Sequence, residues 1–344
     1  MSPRVRRMTS GVGFAERARE LDHEHRKRLR GSMSMVLSMR YLSAAFERVR
    51  LGTAPAPTEP VPRPPPGTVS ITFVGHATVM ITTPGGRVIV DPLLEDSLFG
   101  VPRAKAAGIA ARDIEDTDLV LVTHAHRDHL SRASLARFPG AAPVVVPPHC
   151  ERLVRHVGLL TVEELEPGRS FRHADVEVTA VPVRHSGTRG FGNFTRRGAC
   201  GYVVRTPQHS IYVAGDTGYF SGFIEIGRRF KPDIALLPIS GYEPAGFRDE
   251  HLSPLDAMYA FEDLGARVLI PTSYGSFPLS YEPLDAPLMW LRQIMRERGI
   301  AECGRATPRL AQPMDDRAQN GCVTILDHGD SAHFRKPPLP ATVR

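Results

Sequence analysis

The chain is poor in cysteine, with 4 in 344 residues. Cys150, Cys200, Cys303 and Cys322 are scattered with no paired spacing, so they indicate neither a disulfide framework nor a thiolate metal site. A reducing cytoplasm is the compartment that fits. Long apolar runs are also missing. Arg4, Arg6 and Arg7 are followed by Glu16, Arg17, Arg19, Glu20 and Asp22, where an export signal needs an unbroken apolar stretch. Met33 to Phe46 is fairly apolar, yet Arg40 interrupts it and it is too short to span a bilayer. There is no GxGxxG, no GxxxxGK[ST] and no tandem repeat of solenoid length, so nucleotide-binding and repeat folds lack their signatures.

What is present is a basic excess, 43 Lys and Arg against 37 Asp and Glu, for a formal charge of +6. Much of that excess lies before residue 51 and after residue 334. Residues 1–53 therefore read as a basic helical arm, rich in Ala, Glu, Arg, Leu and Met and free of proline between 14 and 51. The charge of such an arm either meets anionic lipid or nucleic acid or is solvated, the commoner case; its apolar face docks on the body, the simpler reading, or lies peripherally on the inner membrane face. Residues 54–67 are a Pro-rich linker, since proline lacks an amide hydrogen and favours extended chain. Residues 68–334 form the body, and 335–344 a short tail.

In the body, β-branched runs are punctuated by Gly and Pro. Val69 to Val74, Thr78 to Thr82 and Arg87 to Val90 read as a β-meander, with Pro84-Gly85-Gly86 as a turn. Later strands are expected at 119–122, 144–146, 176–181, 202–205, 211–213, 234–237 and 268–270. Helices are expected at 150–157, 222–230, 254–264 and 284–298. Strands first, then strands alternating with helices, predict an α/β sandwich of two face-to-face sheets with helices outside.

The chemistry is concentrated in Thr123-His124-Ala125-His126-Arg127-Asp128-His129-Leu130, which leaves the carboxyl end of the strand Leu119 to Val122. Residues two apart in extended chain point to the same side, so His124 and His126 can reach one metal ion. Asp128 and His129 follow and can face a second ion. So dense a set of metal-binding groups is hard to explain as packing.

This run resembles the HxHxDH signature of the metallo-β-lactamase superfamily, whose fold is an αββα sandwich. The resemblance implies a third imidazole for the first ion at His185 and a bridging carboxylate at Asp216, in Gly215-Asp216-Thr217-Gly218-Tyr219. It is similar in particular to the N-acylphosphatidylethanolamine-hydrolysing phospholipase D subgroup, and more distantly to ascorbate 6-phosphate lactonases. Phe73-Val74-Gly75-His76-Ala77-Thr78-Val79, Leu237 to Pro244 and His251 to Ala257 carry that closer likeness.

The resemblance implies a metal-dependent hydrolase that attacks a phosphodiester with a zinc-bound hydroxide, manganese being an alternative metal. Asp128 would orient the nucleophile. His251 would serve the departing oxygen, a role imidazole suits, or cap the helix that begins near Pro254. His76 would line the substrate site or orient a metal ligand from behind it. Tyr242 and Ser273 are the remaining expected substrate contacts. Ser273 marks a departure, because the subgroup has a histidine ligand of the second ion there, and no other histidine in that segment replaces it. One ion should therefore be firmly bound and the second weak or absent. A single-ion lactonase or small-ester hydrolase, or a metal-binding protein without turnover, are the competing readings. The partner expected is a small-molecule or lipid substrate. Although the superfamily includes nucleases, the body has no RNA-reading signature and no basic patch interleaved with aromatics, so no nucleic acid is expected.

Overall fold

A computed structural model describes residues 57, 59–159, 161–189, 198–304 and 321–335. The basic arm over 1–53, the first part of the linker and the tail after 335 lie outside the described residues. Two seven-stranded sheets make up the body. The first runs in the order β16 (Ser331–Arg335), β1 (Thr68–Gly75), β2 (Thr78–Thr82), β3 (Arg87–Val90), β6 (Leu119–Leu121), β7 (Val144–Val146) and β8 (Val162–Glu164). The second runs β15 (Cys322–Val323), β14 (Val268–Thr272), β13 (Ile234–Pro238), β12 (Ser210–Val213), β11 (Gly201–Arg205), β10 (Val176–Val181) and β9 (Ser170–His173). A small hairpin, β4 (Ser97–Leu98) with β5 (Val101–Pro102), stands apart.

Alternation of side chains along a strand sorts the residues into layers. Val69, Ile71, Phe73, Val79, Ile81, Val88, Val90, Leu119 and Leu121 share one core with residues of the second sheet, including Val178, Tyr202, Val204 and Ile211. Their neighbours Met80, Ile89, Val120, Val144 and Val146 face the other way and pack against Ile114, Leu135 and Val154, which lie on short helices. The longer helices Gly222–Phe230, Pro254–Leu264 and Ala286–Arg298 supply Phe223, Met258 and Leu291 to the core that includes the second sheet. The result is the expected αββα sandwich. Among the described residues, no helix is long and apolar enough to cross a membrane.

One expectation needs correction. Cys303 and Cys322 are joined by a disulfide. Their approach is tertiary: Cys303 N–H donates to the Val323 carbonyl at 2.8 Å and Glu302 bridges Val323, contacts that no local spacing announces. The described part of the linker packs on the body. Val61 N–H donates to the Asp113 carboxylate at 3.1 Å and its carbonyl accepts from Arg87 at 2.6 Å. Arg87 and Asp113 are themselves buried and ion-paired, so this backbone segment is docked on the sheet.

In both sheets the central strands run parallel, β3 with β6 and β7, and β12 with β13 and β14. Their carboxyl ends, where ligand sites of open α/β sheets form, deliver the loops of the site. Gly215 allows two of these ends to meet. It has a φ of +63°, and a Cβ there would come within 2.7 Å of the Thr123 side chain.

Candidate metal centre

Asp91, at the end of β3, organises the centre from beneath. It is buried with a φ of +46°, and its carboxylate accepts from Thr123 N–H at 2.7 Å, from the Thr123 hydroxyl at 2.6 Å and from His129 Nδ1 at 2.7 Å. Thr123 has given its only hydroxyl hydrogen to Asp91, so towards His124 Nδ1, 3.0 Å away, it can only accept. His124 therefore carries its proton on Nδ1 and presents a bare Nε2. His185 is fixed in the same way, since its Nδ1 lies 3.0 Å from the Glu250 carbonyl, which can only accept.

Those two bare nitrogens converge on a third. His124 Nε2 lies 3.0 Å and His185 Nε2 3.1 Å from His126 Nδ1. Burial, reinforced by His129 and His185, holds His124 well below its ordinary pKa. Burial also lowers His126 and pulls His185 down to about 4. Neutral, oriented and converging imidazoles are what a transition-metal ion requires.

A second group adjoins the first. The ligand atoms of His76, Asp128 and His129 lie within 4.8 Å of one another, as do those of His124, His129 and Asp216. Asp216 Oδ2 is 3.9 Å from His124 Nε2 and 3.2 Å from His129 Nε2, so it stands between the two groups. Having donated from Nδ1 to Asp91, His129 aims a fully buried Nε2 at Asp216 and at Asp128 Oδ2, 3.6 Å away, without a hydrogen bond. Burial opposes a charge on His129, but Asp216, Asp91 and Asp128 outweigh it and raise its pKa well above the usual value. Burial would raise Asp216 and Asp128, yet His129 holds both well below the ordinary carboxylate range. The pocket thus demands positive charge at the point that His129 Nε2 faces, and a divalent ion satisfies that demand with nitrogen and oxygen ligands.

The groups open into a cleft lined by His76, Asp128, Asp216, His251, Ser273 and Phe277 among others. His251 stands at its mouth, with Nδ1 3.6 Å from Asp216 Oδ2. It is not the helix cap; Ser253 caps Pro254–Leu264 in a reciprocal capping box with Asp256. Ser273 lies at the end of β14, buried, with a hydroxyl that has no hydrogen-bond partner. Tyr242 does not meet its expectation. Its ring is buried against Trp290 at 5.4 Å in the core, and Gly241, rather than Tyr242, borders the cleft.

The structure therefore brings His124, His126, Asp128, His129, His185 and Asp216 together, with His76, His251 and Ser273 beside them. Sequence reasoning passed over Asp91 and Glu250. An aspartate directly after a buried strand, in Val90-Asp91-Pro92, was the sign of the first. The carbonyl of Glu250 left none.

A family model described as the Beta-lactamase superfamily domain matches residues 86–274. A UPF0173 metal-dependent hydrolase of Caldivirga maquilingensis is 32% identical over 208 residues, 60% of this chain and 82% of the relative. An N-acyl-phosphatidylethanolamine-hydrolyzing phospholipase D 1 of Caenorhabditis elegans is 29% identical over 252 residues, 66% of this chain and 70% of the relative. Among solved structures, an isothiocyanate hydrolase from Delia radicum gut bacteria shares the fold with a TM-score of 0.60 at 19% identity, covering 77% of this chain and 99% of that one.

Proposed function

The chain belongs to the metallo-β-lactamase superfamily, and on that premise we propose that it hydrolyses phosphodiesters with an apolar substituent, of the N-acylphosphatidylethanolamine class. Metal-dependent hydrolysis is what the name of the Caldivirga relative states, and it supports the broader part of this reading. The narrower reading rests on one observation, that two groups of ligand atoms meet at Asp216. Two adjoining ions suit in-line displacement at phosphorus, where attacking and leaving oxygens both need stabilising. Likeness to the nematode phospholipase supports the same class.

We assign one ion to His124, His126, His185 and Asp216 and the second to Asp128, His129 and Asp216, with zinc as the metal and manganese as its substitute. What a bound divalent ion supplies is Lewis acidity, which makes water nucleophilic near neutral pH. Asp128, ionised and lining the cleft, accepts a hydrogen bond from the attacking water and aims it. His251, a quarter exposed at the mouth, donates to the departing oxygen. Phe247, Phe277 and Leu279 give the cleft an apolar wall that receives an acyl or alkyl group and thins the water around the reacting atoms. A lipid diester is met at a surface, and we assign that contact to the basic arm over 1–53.

The full chain, loaded with zinc or manganese, should turn over bis(4-nitrophenyl) phosphate and N-acylphosphatidylethanolamine in mixed micelles, lose both activities to a chelator and regain them with metal. Turnover that survives complete metal removal overturns the mechanism. Lactone hydrolysis with no diester hydrolysis overturns the substrate.

A further inference from the structure

We infer that His76 is a protein ligand of the second metal ion and supplies the imidazole that the chain lacks at Ser273. This rests on the metal dependence proposed above and not on its substrate.

The two positions are neighbours through space. Ser273 N–H donates to the His76 carbonyl at 2.8 Å, His76 forms a β-bridge with Tyr274, and both side chains line the same cleft. A histidine on either strand end can therefore address the same volume. Serine stands at the β14 end, and its buried hydroxyl makes no hydrogen bond. At the β1 end stands His76, whose Nε2 lies 3.1 Å from Asp128 Oδ2 and within 4.8 Å of the ligand atom of His129. Asp128 and His129 are the carboxylate and imidazole already assigned to that ion, and His76 completes a nitrogen, oxygen and nitrogen set beside Asp216.

Its placement is built rather than incidental. His76 adopts a φ of +57°, a conformation that a non-glycine residue takes only when its surroundings hold it there. Gly75, just before it, has a φ of +125° and packs so closely on His328 that a Cβ would fall 2.3 Å from that ring. The bridge to Tyr274 and the edge contact of the His76 ring with Phe277, 5.8 Å between centroids, fix the other side. An imidazole fixed by backbone and ring contacts loses little freedom on binding a metal, which favours a filled second site despite Ser273.

The alternative role for His76 is to donate a hydrogen bond to Asp128 without touching the ion. Counting metal separates the two roles. The full-length protein is equilibrated with excess zinc, freed of unbound metal by gel filtration, and its zinc per chain is measured by elemental analysis. The wild type is expected to hold two ions. H76A and H76Q should each hold one, although glutamine still has an amide hydrogen for Asp128, and retention of that ion shows that both variants are folded. H76Q/S273H should return to two, because the imidazole is restored from the opposite strand. Two ions in H76Q, or one in the wild type, overturns the inference. Diester turnover does not enter this count, so two ions without diesterase activity would sink the substrate assignment and leave His76 in place.

Discussion

Asp91 lies behind the assigned ligands rather than among them, and it sets the tautomers of two imidazoles. It fixes His129 directly and His124 through the Thr123 hydroxyl. Replacing it by asparagine offers an amide hydrogen where three donors converge, so at least one of them loses its acceptor. D91N is expected to bind zinc about 10- to 100-fold more weakly, the usual cost of losing a partner behind the ligands. Competition against a chromophoric chelator measures this, and an unchanged affinity would show that the tautomers are set by something else. This is also where the sequence was least legible. His124, His126, Asp128 and His129 could be read because one strand delivers them at short spacing. Asp91 was passed over, and His76 was named with its role left open, because they lie 32 and 52 residues from the groups they serve and only the folded sheet brings them there.

At the scale of elements, legibility followed burial. β2, β3, β7 and β10 were placed to the residue, because each is dominated by apolar or β-branched side chains and closed by polar or turn residues. β8, with Val162-Glu163-Glu164, and β9, with Ser170-Phe171-Arg172-His173, are sheet-edge strands with exposed polar residues, and pattern alone does not separate them from loops. The turn before β16 was missed too, and it carries a clasp on the base of the His76 segment. His328 lies 2.7 Å from the Ser276 hydroxyl, its ring is 5.2 Å from that of Phe73, and Gly329 N–H donates to the Phe73 carbonyl at 2.8 Å. Burial pulls His328 down to about 4; Asp327 opposes this, while Lys105 and Arg103 add to it.

The folded state thus prefers neutral His328, and the unfolded chain takes up the proton first as pH falls. The clasp's contribution is whole above the ordinary histidine pKa of about 6.5 and is lost progressively down to about pH 4. Between pH 7.5 and 4, urea denaturation of the wild type and H328Q should show the stability advantage of the wild type shrinking by about 3 kcal/mol. Parallel pH profiles for the two proteins would contradict this.

Across the whole molecule, the two sheets have different tasks. β3 and β6 of the first bring Asp91 and the His124 to His129 run, while β10 and β12 of the second bring His185 and Asp216. The core between the sheets, with Phe73, Leu121, Tyr202 and Val213 among its members, holds the two halves of the centre in register. A metal ion bound across both sheets binds only the folded chain, and so should stabilise it by mass action. Side chains from both sheets are therefore expected to meet on one ion. The most direct measurement is diffraction from crystals of the zinc-loaded chain on either side of the zinc absorption edge. An anomalous peak is expected among His124 Nε2, His126 Nδ1 and His185 Nε2, on the side of Asp216. Zinc located elsewhere, or no peak among those nitrogens at saturating metal, would contradict it.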